Sequence, residues 1–162
     1  MPQVSLHSPV GDISISEHDS HIVAVDWGWG RDQEKTPLLR EAAKQLNAYF
    51  DGKLMAFDLP LLAQGTAFQK RVWAEMLKIP KGQVRSYGQL AARLDSGAQA
   101  VGTACGKNPI PIIIPCHRVV GTGNLGGYSG GDGWATPDDG LATKVALLRL
   151  ENADIVGKSL FD

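Results

Sequence analysis

The stretch Asn108–Val120 reads NPIPIIIPCHRVV, and it predicts more about this chain than any other segment. It places a thiol, Cys116, beside an imidazole, His117, at the end of an apolar run that three prolines stiffen. A thiol attacks only as its thiolate, and a reference pKa of about 8.5 leaves it mostly protonated at neutral pH. A lone cysteine more often packs in a core than reacts. Here His117 can supply the base, so the pair predicts a buried nucleophile.

The composition describes a folded chain whose charge is unevenly distributed. Of the 162 residues, 43% are hydrophobic and 20% are charged, as in globular proteins. The net charge is −1, but residues 1–65 carry −4, residues 66–120 carry +6 and residues 121–162 carry −3. A basic middle segment can meet nucleic-acid phosphates, although a basic helical surface would give the same pattern.

The sequence favours a soluble protein of a reducing compartment. The N-terminus has no basic region followed by an apolar core, and the longest apolar run is too short to cross a bilayer. We therefore expect no membrane association and a cytoplasmic location, on the nucleoid if the source is bacterial. Cys105 and Cys116 are the two cysteines, and neither a disulfide nor a metal site is expected from them, because no paired ligand spacing surrounds them.

Residues 1–63 predict a small α/β domain. Val10–Ser16 alternates apolar and polar residues as a half-buried strand does, and His21–Trp27 reads as a second strand. Thr36 is predicted to cap a helix that begins with a proline and ends near residue 51.

Residues 64–162 predict a mainly helical domain, which begins within the linker that ends at Gly65. Two of its helices are short and joined by a glycine-containing turn, the pattern of a helix-turn-helix, although many helical proteins contain such a corner. The predicted helices are 66–78, Tyr87–Leu94, Ala98–Lys107 and Leu141–Glu151.

Two further features keep more than one interpretation. Residues 121–126 formally match the dinucleotide fingerprint GxGxxG, but no βαβ unit surrounds them. We therefore interpret the glycines as a loop whose backbone must approach another group closely. Glu151 is either a solvated carboxylate at the end of a helix or the group that orients His117, directly or through water. Cys105 is predicted to pack in a helix of small residues.

These motifs together resemble the O6-alkylguanine-DNA alkyltransferases. The resemblance is clear over about residues 66–131, while the N-terminal part agrees only in general character. The segments that carry it are FQKRVW at 68–73, SYGQLA at 86–91, GTACGKNPIPIIIPCHRVV at 102–120, GYSGG at 127–131 and LLRLE at 147–151.

The resemblance implies a DNA-repair enzyme, a methylated-DNA–protein-cysteine S-methyltransferase. It would move an alkyl group, typically methyl, from O6 of guanine, and from O4 of thymine, to Cys116. The target base must leave the duplex to be reached. A thioether is not readily cleaved by water, so each molecule would act once, and no cofactor is needed because the lesion carries its own transferable group. The implied partner is double-stranded DNA containing O6-alkylguanine, bound by a monomer.

The family also implies the fold and the roles of individual residues. The N-terminal domain would be ribonuclease H-like, and the C-terminal domain winged-helix-like with a helix-turn-helix. In catalysis, His117 would act as a base linked through water to Glu151, and Asn108 would brace the turn that presents Cys116. The flipped guanine would meet Tyr87 and the backbone at Cys116, Val119 and Ser129. DNA contacts would come from Gln69, Gly88, Gln99 and Thr122.

Four departures from the family pattern stand out. Gln99 occupies the position where the family normally has an arginine that fills the gap left by the extruded base. The turn Asp95–Gly97 is about two residues shorter than is common. Residues 132–140 look like an acidic insertion, which we interpret as a flap at the mouth of the alkyl pocket. The N-terminal half has no cysteine, so the zinc site of some relatives is not expected.

Two rival classes lead to different expectations. A lesion-binding module of the same family would lack the reactive cysteine, which is present here. A cysteine hydrolase would need an acyl-enzyme and an oxyanion hole, and beyond the Cys–His pair nothing in the sequence indicates a peptide or ester substrate.

Overall fold

A computed structural model describes residues 1–121 and 137–152, with side chains described for all of these except 137–141. A short 3₁₀ turn at Cys116–Arg118 lies between the fourth and fifth helices. In chain order the elements are β1 (Gln3–Leu6), β2 (Ile13–His18), β3 (His21–Trp27), α1 (Pro37–Phe50), α2 (Ala67–Met76), β4 (Arg85–Ser86), α3 (Tyr87–Leu94), α4 (Ala98–Gly106), β5 (Val119–Val120) and α5 (Pro137–Leu150).

The N-terminal part is an antiparallel sheet of order β1-β2-β3, against which α1 packs. The strand predicted over His21–Trp27 is confirmed. The strand predicted over Val10–Ser16 was wrong at its start, since Gly11 has a φ of 105° and lies in a turn. β1 was not predicted. Its Ser5 is a polar residue that is nevertheless buried, with its hydroxyl 2.9 Å from the Ser14 hydroxyl, so the sequence lacks the apolar pattern of a core strand.

Helix α1 confirms its predicted cap and end. The Thr36 hydroxyl accepts from the Leu39 amide at 3.1 Å, Pro37 opens the helix, and Gly52 follows its end with a φ of 76°. Its apolar face is fully buried on the sheet and ends at Tyr49, which is 1% exposed. The helix therefore places the buried phenol of Tyr49 at the edge of the N-terminal domain.

Three short helices, two of them with capping boxes, build the next part of the chain. Thr66 and Ser86 each form a capping box, at the start of α2 and of α3, which satisfies otherwise unpaired helix amides. The predicted α3, its turn and α4 are confirmed, with Asp95 ending α3 in the left-handed region. The helix predicted over 66–78 ends earlier, at Met76, and Leu77 follows it and is 49% exposed.

Helix α5 begins four residues earlier than predicted, at Pro137 rather than at Leu141. Proline suits the first position of a helix, where its missing N–H has no partner to lose. Residues 137–140 of the expected insertion are therefore the first turn of α5, while 132–136, including Trp134, lie outside the described residues. Leu147 and Leu148 of this helix are fully buried.

The two halves of the chain meet along β3 and the loop that precedes Cys116. The amide of Val25 donates to the carbonyl of Pro109 at 3.0 Å, and the linker pairs with β3 through a bridge between Ile22 and Leu61. Lys81 donates to the carbonyl of Leu54 at 3.1 Å. None of the described helices is long and apolar enough to cross a membrane.

Candidate active site

Cys116 opens the 3₁₀ turn and is 3% exposed, and its thiol is not part of a disulfide. Its amide donates to the carbonyl of Ile114 at 2.9 Å. The three isoleucines Ile112–Ile114, which precede it in the chain, are buried in the core and anchor the 3₁₀ turn. Ile112 has a φ of 74°, a left-handed conformation that β-branched residues avoid, so the loop carries local backbone strain next to the thiol.

Asn108 closes this loop from inside. Its Nδ2 donates to the carbonyl of Ile114 at 2.8 Å, and its Oδ1 accepts from the amide of Ile110 at 2.9 Å. The side chain is fully buried, so both bonds are shielded from water. The side-chain amide of Asn108 thereby links Ile110 to Ile114 and fixes the distance between them just before Cys116.

His117, the next residue, contacts Glu151 directly. Its Nε2 lies 2.6 Å from Oε2 of the carboxylate, and the two side chains are fully buried. The expectation of a water between His117 and Glu151 was therefore wrong: α5 ends close enough to place the carboxylate against the ring. Of the two interpretations of Glu151 that the sequence left open, the structure supports the one in which it orients His117.

Arg118 also binds Glu151, and it does so in a two-pronged manner. Nε donates to Oε1 at 2.9 Å and Nη2 donates to Oε2 at 3.0 Å, while Nη1 reaches the carbonyl of Ile79 at 2.7 Å. Burial by itself raises the pKa of Glu151, but the hydrogen bonds and charges of His117 and Arg118 outweigh it and hold that pKa well below 4.5. Glu151 is therefore a carboxylate at any ordinary pH.

The imidazole of His117 is poised as a base. Burial, the strongest influence, lowers its pKa below 6.5. Glu151 raises that pKa, whereas the charges of Arg118 and Lys144 lower it further. Because Nε2 faces the carboxylate, the neutral ring carries its proton there and its lone pair at Nδ1. Nδ1 is the one buried side-chain nitrogen or oxygen without a hydrogen-bond partner among the side chains that the structure describes. It is free to accept a proton.

Lys144 is a site residue that the sequence analysis missed. It is fully buried on α5 and donates from Nζ to the carbonyl of Val119 at 2.7 Å. Burial lowers its pKa to about 8, and the charges of Cys116 and Cys105 partly oppose that shift. A signal was available in the sequence, since Lys144 lies three and four residues before Leu147 and Leu148, on the same apolar face of the helix.

Tyr87 lies at the same site, as predicted. It is the first residue of α3 and half-buried, and the ammonium of Lys144 lies 5.7 Å from its ring centroid. Burial, with the charges of Cys105 and Cys116, raises the pKa of its phenol, so Tyr87 remains a hydrogen-bond donor. Cys105 has its own pKa raised to about 12, chiefly by burial, and its thiol donates to Met76, in keeping with the predicted packing role.

Three of the residues expected to contact DNA lie on three different helices, α2, α3 and α4. Gln69 uses its side-chain oxygen to cap α2, at 2.9 Å from the Thr66 amide. Gly88 and Gln99 are exposed on α3 and α4. Thr122 and Ser129 lie outside the described residues. The exposed face of α4 consists of small or uncharged side chains: Ala98, Gln99, Ala100 and Thr103.

Comparison with known proteins identifies the fold. The family described as "6-O-methylguanine DNA methyltransferase, ribonuclease-like domain" matches residues 4–63, and "6-O-methylguanine DNA methyltransferase, DNA binding domain" matches residues 67–153. The chain thus combines an N-terminal ribonuclease-like domain with a helical DNA-binding domain.

Individual relatives match over nearly the whole chain. Proteins named methylated-DNA–protein-cysteine methyltransferase are 40% identical in Mycobacterium leprae, over 98% of this chain and 97% of that one, and 39% identical in Methanosarcina barkeri, over 93% and 96%. The crystal structure of Mycobacterium tuberculosis OGT in complex with DNA superposes with a TM-score of 0.80 at 40% identity, covering 94% of this chain and 93% of that one. The chain belongs to the 6-O-methylguanine DNA methyltransferase family.

Proposed function

We propose that this protein repairs alkylated DNA directly, by moving the alkyl group from O6 of guanine to the sulfur of Cys116. The observation that carries the proposal is a buried thiol followed by a histidine that is fixed on a buried carboxylate, Glu151. Membership of a family whose relatives bear the name methylated-DNA–protein-cysteine methyltransferase supports the same reaction. Transfer would be stoichiometric, irreversible and free of any cofactor.

The chemistry is a displacement at the alkyl carbon. His117 takes the thiol proton at Nδ1, directly or through a water molecule, and Glu151 stabilises the imidazolium that forms. The sulfur then forms a bond to the alkyl carbon as the bond from that carbon to O6 breaks. The electron pair of the broken bond passes to the purine, which takes up one proton to become guanine. The protein is left with a thioether at Cys116.

The surroundings of Cys116 favour the charged species along this path. Lys144 places a buried positive charge that interacts with the thiolate, and water is excluded, so this attraction is weakly screened. Tyr87 stays protonated and would donate to the departing guanine. Asn108 would keep the turn that presents the thiol in one geometry. The backbone of Val119 and Ser129 would contact the base edges.

Binding requires that the guanine leave the duplex, since O6 is otherwise inside the base stack. The segment 66–120, with its charge of +6, would attract the phosphates. The small exposed face of α4 suits entry into the narrow minor groove, where Gln99 would occupy the space of the extruded base. Gln69, Gly88 and Thr122 would contact the backbone.

The finer features of the fold and setting are part of the same proposal. The domains would be 1–63 and 64–162, the first ribonuclease H-like, and the short parallel pair β4–β5 beside α3 and α4 would give the second a winged-helix-like form. We expect a monomer that acts in the cytoplasm or on the nucleoid. O4 of thymine, a similar alkylated oxygen on a flipped base, would be a second substrate.

Two matched cysteine variants test the proposal. A duplex carrying O6-methylguanine with a labelled methyl group is mixed with the wild type, Cys116→Ser and Cys105→Ser, and the label on the protein is counted. We expect the wild type and Cys105→Ser to take up label and Cys116→Ser to take up none. Equal labelling of Cys116→Ser, or label that resides on another residue, would refute the proposal.

A further inference from the structure

We propose that Tyr49, in the N-terminal domain, is a positioning residue for alkyl transfer, because its hydroxyl fixes Glu151 against His117. This inference rests on the function proposed above and extends its machinery. None of the site residues expected from the sequence lies before Gln69, so the catalytic relay would be completed by a domain to which sequence analysis assigned no chemistry.

The geometry places three donors on one carboxylate oxygen. Oε2 of Glu151 accepts from the Tyr49 hydroxyl at 2.5 Å, lies 2.6 Å from Nε2 of His117, and accepts from Nη2 of Arg118 at 3.0 Å. The second oxygen accepts from Nε of Arg118 at 2.9 Å. Tyr49 is separated from Glu151 by 102 residues, and both are buried, so the contact is a product of the fold and is shielded from water.

The tyrosine is fixed by aromatic packing within its own domain. Its ring packs against Phe50 at 5.3 Å and Phe57 at 5.4 Å between centroids. Glu151 follows the last residue of α5 and is held from the C-terminal part of the chain by His117 and Arg118. The hydroxyl on the packed ring therefore adds a fixed donor to the same carboxylate from the N-terminal domain.

The same bond sets how strongly Glu151 attracts the proton of His117. Each donor to Oε2 takes up part of the negative charge that would otherwise stabilise the imidazolium. Burial and the charge of Glu151 keep the phenol of Tyr49 protonated, because both raise its pKa, so it acts as a donor throughout the working range. The ionisable groups that act on His117 are Glu151, Arg118 and Lys144, and Cys116 is its neighbour in the chain. Tyr49 acts on the first of these.

Removal of the Tyr49 hydroxyl should change the pKa of His117 in a defined direction. In Tyr49→Phe, Oε2 keeps more charge for His117, so the imidazolium becomes more stable and the pKa of His117 rises. We expect the acid limb of the pH–rate profile, measured as single-turnover transfer from saturating methylated duplex, to move to higher pH by about one unit, the scale of one hydrogen bond to a charged group. At a pH below the wild-type midpoint, transfer should therefore slow by up to about tenfold, while the rate at neutral pH changes less.

Lys81→Met is the matched control. Lys81 donates across the same domain interface, to the carbonyl of Leu54, and its ammonium lies over the Tyr49 ring, but it does not touch the carboxylate. The substitution loses one interdomain hydrogen bond and leaves the tyrosine hydroxyl in place. Its acid limb should coincide with that of the wild type. The inference is overturned if Tyr49→Phe keeps the wild-type profile, or if Lys81→Met shifts it equally.

A second variant covers the case in which Tyr49→Phe does not fold. 3-Fluorotyrosine introduced at position 49 keeps the ring and carries a more acidic hydroxyl, which is a stronger donor. Its acid limb should move to lower pH, opposite to the effect of phenylalanine, and no movement would overturn the inference. A wild type that transfers no methyl group to Cys116 would instead refute the proposed function, so the two failures are distinguishable.

Discussion

At His117 two influences compete for the same proton. Burial, helped by the charges of Arg118 and Lys144, disfavours the imidazolium, whereas Glu151 favours it from 2.6 Å. Burial prevails, so the pKa of His117 lies below 6.5 and the ring is neutral at physiological pH. A neutral imidazole that is already oriented can accept the thiol proton without first losing one of its own.

The depressed pKa of His117 predicts the low-pH behaviour of the wild type. The base is competent above its pKa and is lost as the pH falls through that value. Single-turnover methyl transfer should therefore keep the larger part of its plateau rate at pH 6.5 and reach its half-maximal rate only in more acidic buffer. Rates measured from about pH 8 down to about pH 5 check this. A midpoint at or above 6.5 for the acid limb would contradict it.

Burial of the Lys144 ammonium lowers the stability of the fold and provides a positive charge inside the site. Its pKa is lowered from 10.5 to about 8, chiefly by burial, so between these values the unfolded chain binds more protons than the folded one. By linkage, the Lys144 contribution to the free energy of unfolding rises with pH across that window. The lysine is thus most costly to the fold at neutral and lower pH, where its charge is available to Cys116.

We predict that Lys144→Met slows methyl transfer and changes the pH dependence of stability. The free energy of unfolding of the wild type minus that of the variant should increase from pH 7 to pH 9, because the variant lacks the titrating ammonium. Urea unfolding at several pH values measures the difference. A difference that stays flat or falls across this window would contradict the assigned burial of a charged lysine.

At the scale of elements, α4 presents an exposed face without a positive charge, although the family normally places an arginine at position 99. Glutamine can still hydrogen-bond an orphaned cytosine, but it is shorter and uncharged. Gln99→Arg should therefore tighten binding to methylated duplex and steepen the dependence of log K on log salt by about one unit. Fluorescence anisotropy at several salt concentrations tests this, and unchanged affinity and slope would exclude it.

The loop between α4 and the reactive turn depends on one amide side chain. Asn108→Ala leaves the amide of Ile110 buried without a partner and removes one of the two hydrogen bonds to the carbonyl of Ile114, which still accepts from the amide of Cys116. We expect a loss of about 2–4 kcal/mol in the free energy of unfolding, from about 1–3 kcal/mol for the unsatisfied amide and about 1 kcal/mol for the lost hydrogen bond. Asn47→Ala, on the exposed face of α1, is the control and should change stability little. A loss below about 1 kcal/mol at Asn108 would show that the loop holds itself.

Local signals in the sequence predicted the elements that are specified locally. Caps and turn residues located α1, α3 and α4, and alternation located β2 apart from its exact ends. Elements set by tertiary contacts were predicted less well. The strand β1 hides behind a pair of buried serines, Ser5 and Ser14, and the start of α5 fell inside what looked like an insertion.

The candidate site shows the same division. Adjacent residues, Cys116 and His117, indicated a nucleophile and its base from the sequence. The orientation of Glu151 was left open, because spacing along the chain does not reveal which end of α5 meets the turn. Tyr49 escaped notice because it approaches from a separate domain, 102 residues away. Its role is a consequence of how two halves of the chain pack.

For the whole molecule, the domain interface is part of the chemistry and not only a tether. The edge of β3 holds the loop before Cys116 through the bond from Val25 to Pro109, and α1 reaches Glu151 through Tyr49. The segment 66–120 carries +6 within a chain of net charge −1, so the attraction for DNA would be confined to one part of the surface.

Intact-protein mass spectrometry after incubation with excess methylated duplex tests the central claim most directly. The account predicts that each chain gains the mass of one methylene unit, that peptide mapping places it on Cys116, and that further DNA adds nothing. A protein that demethylates many lesions per molecule while its own mass stays unchanged would contradict the account.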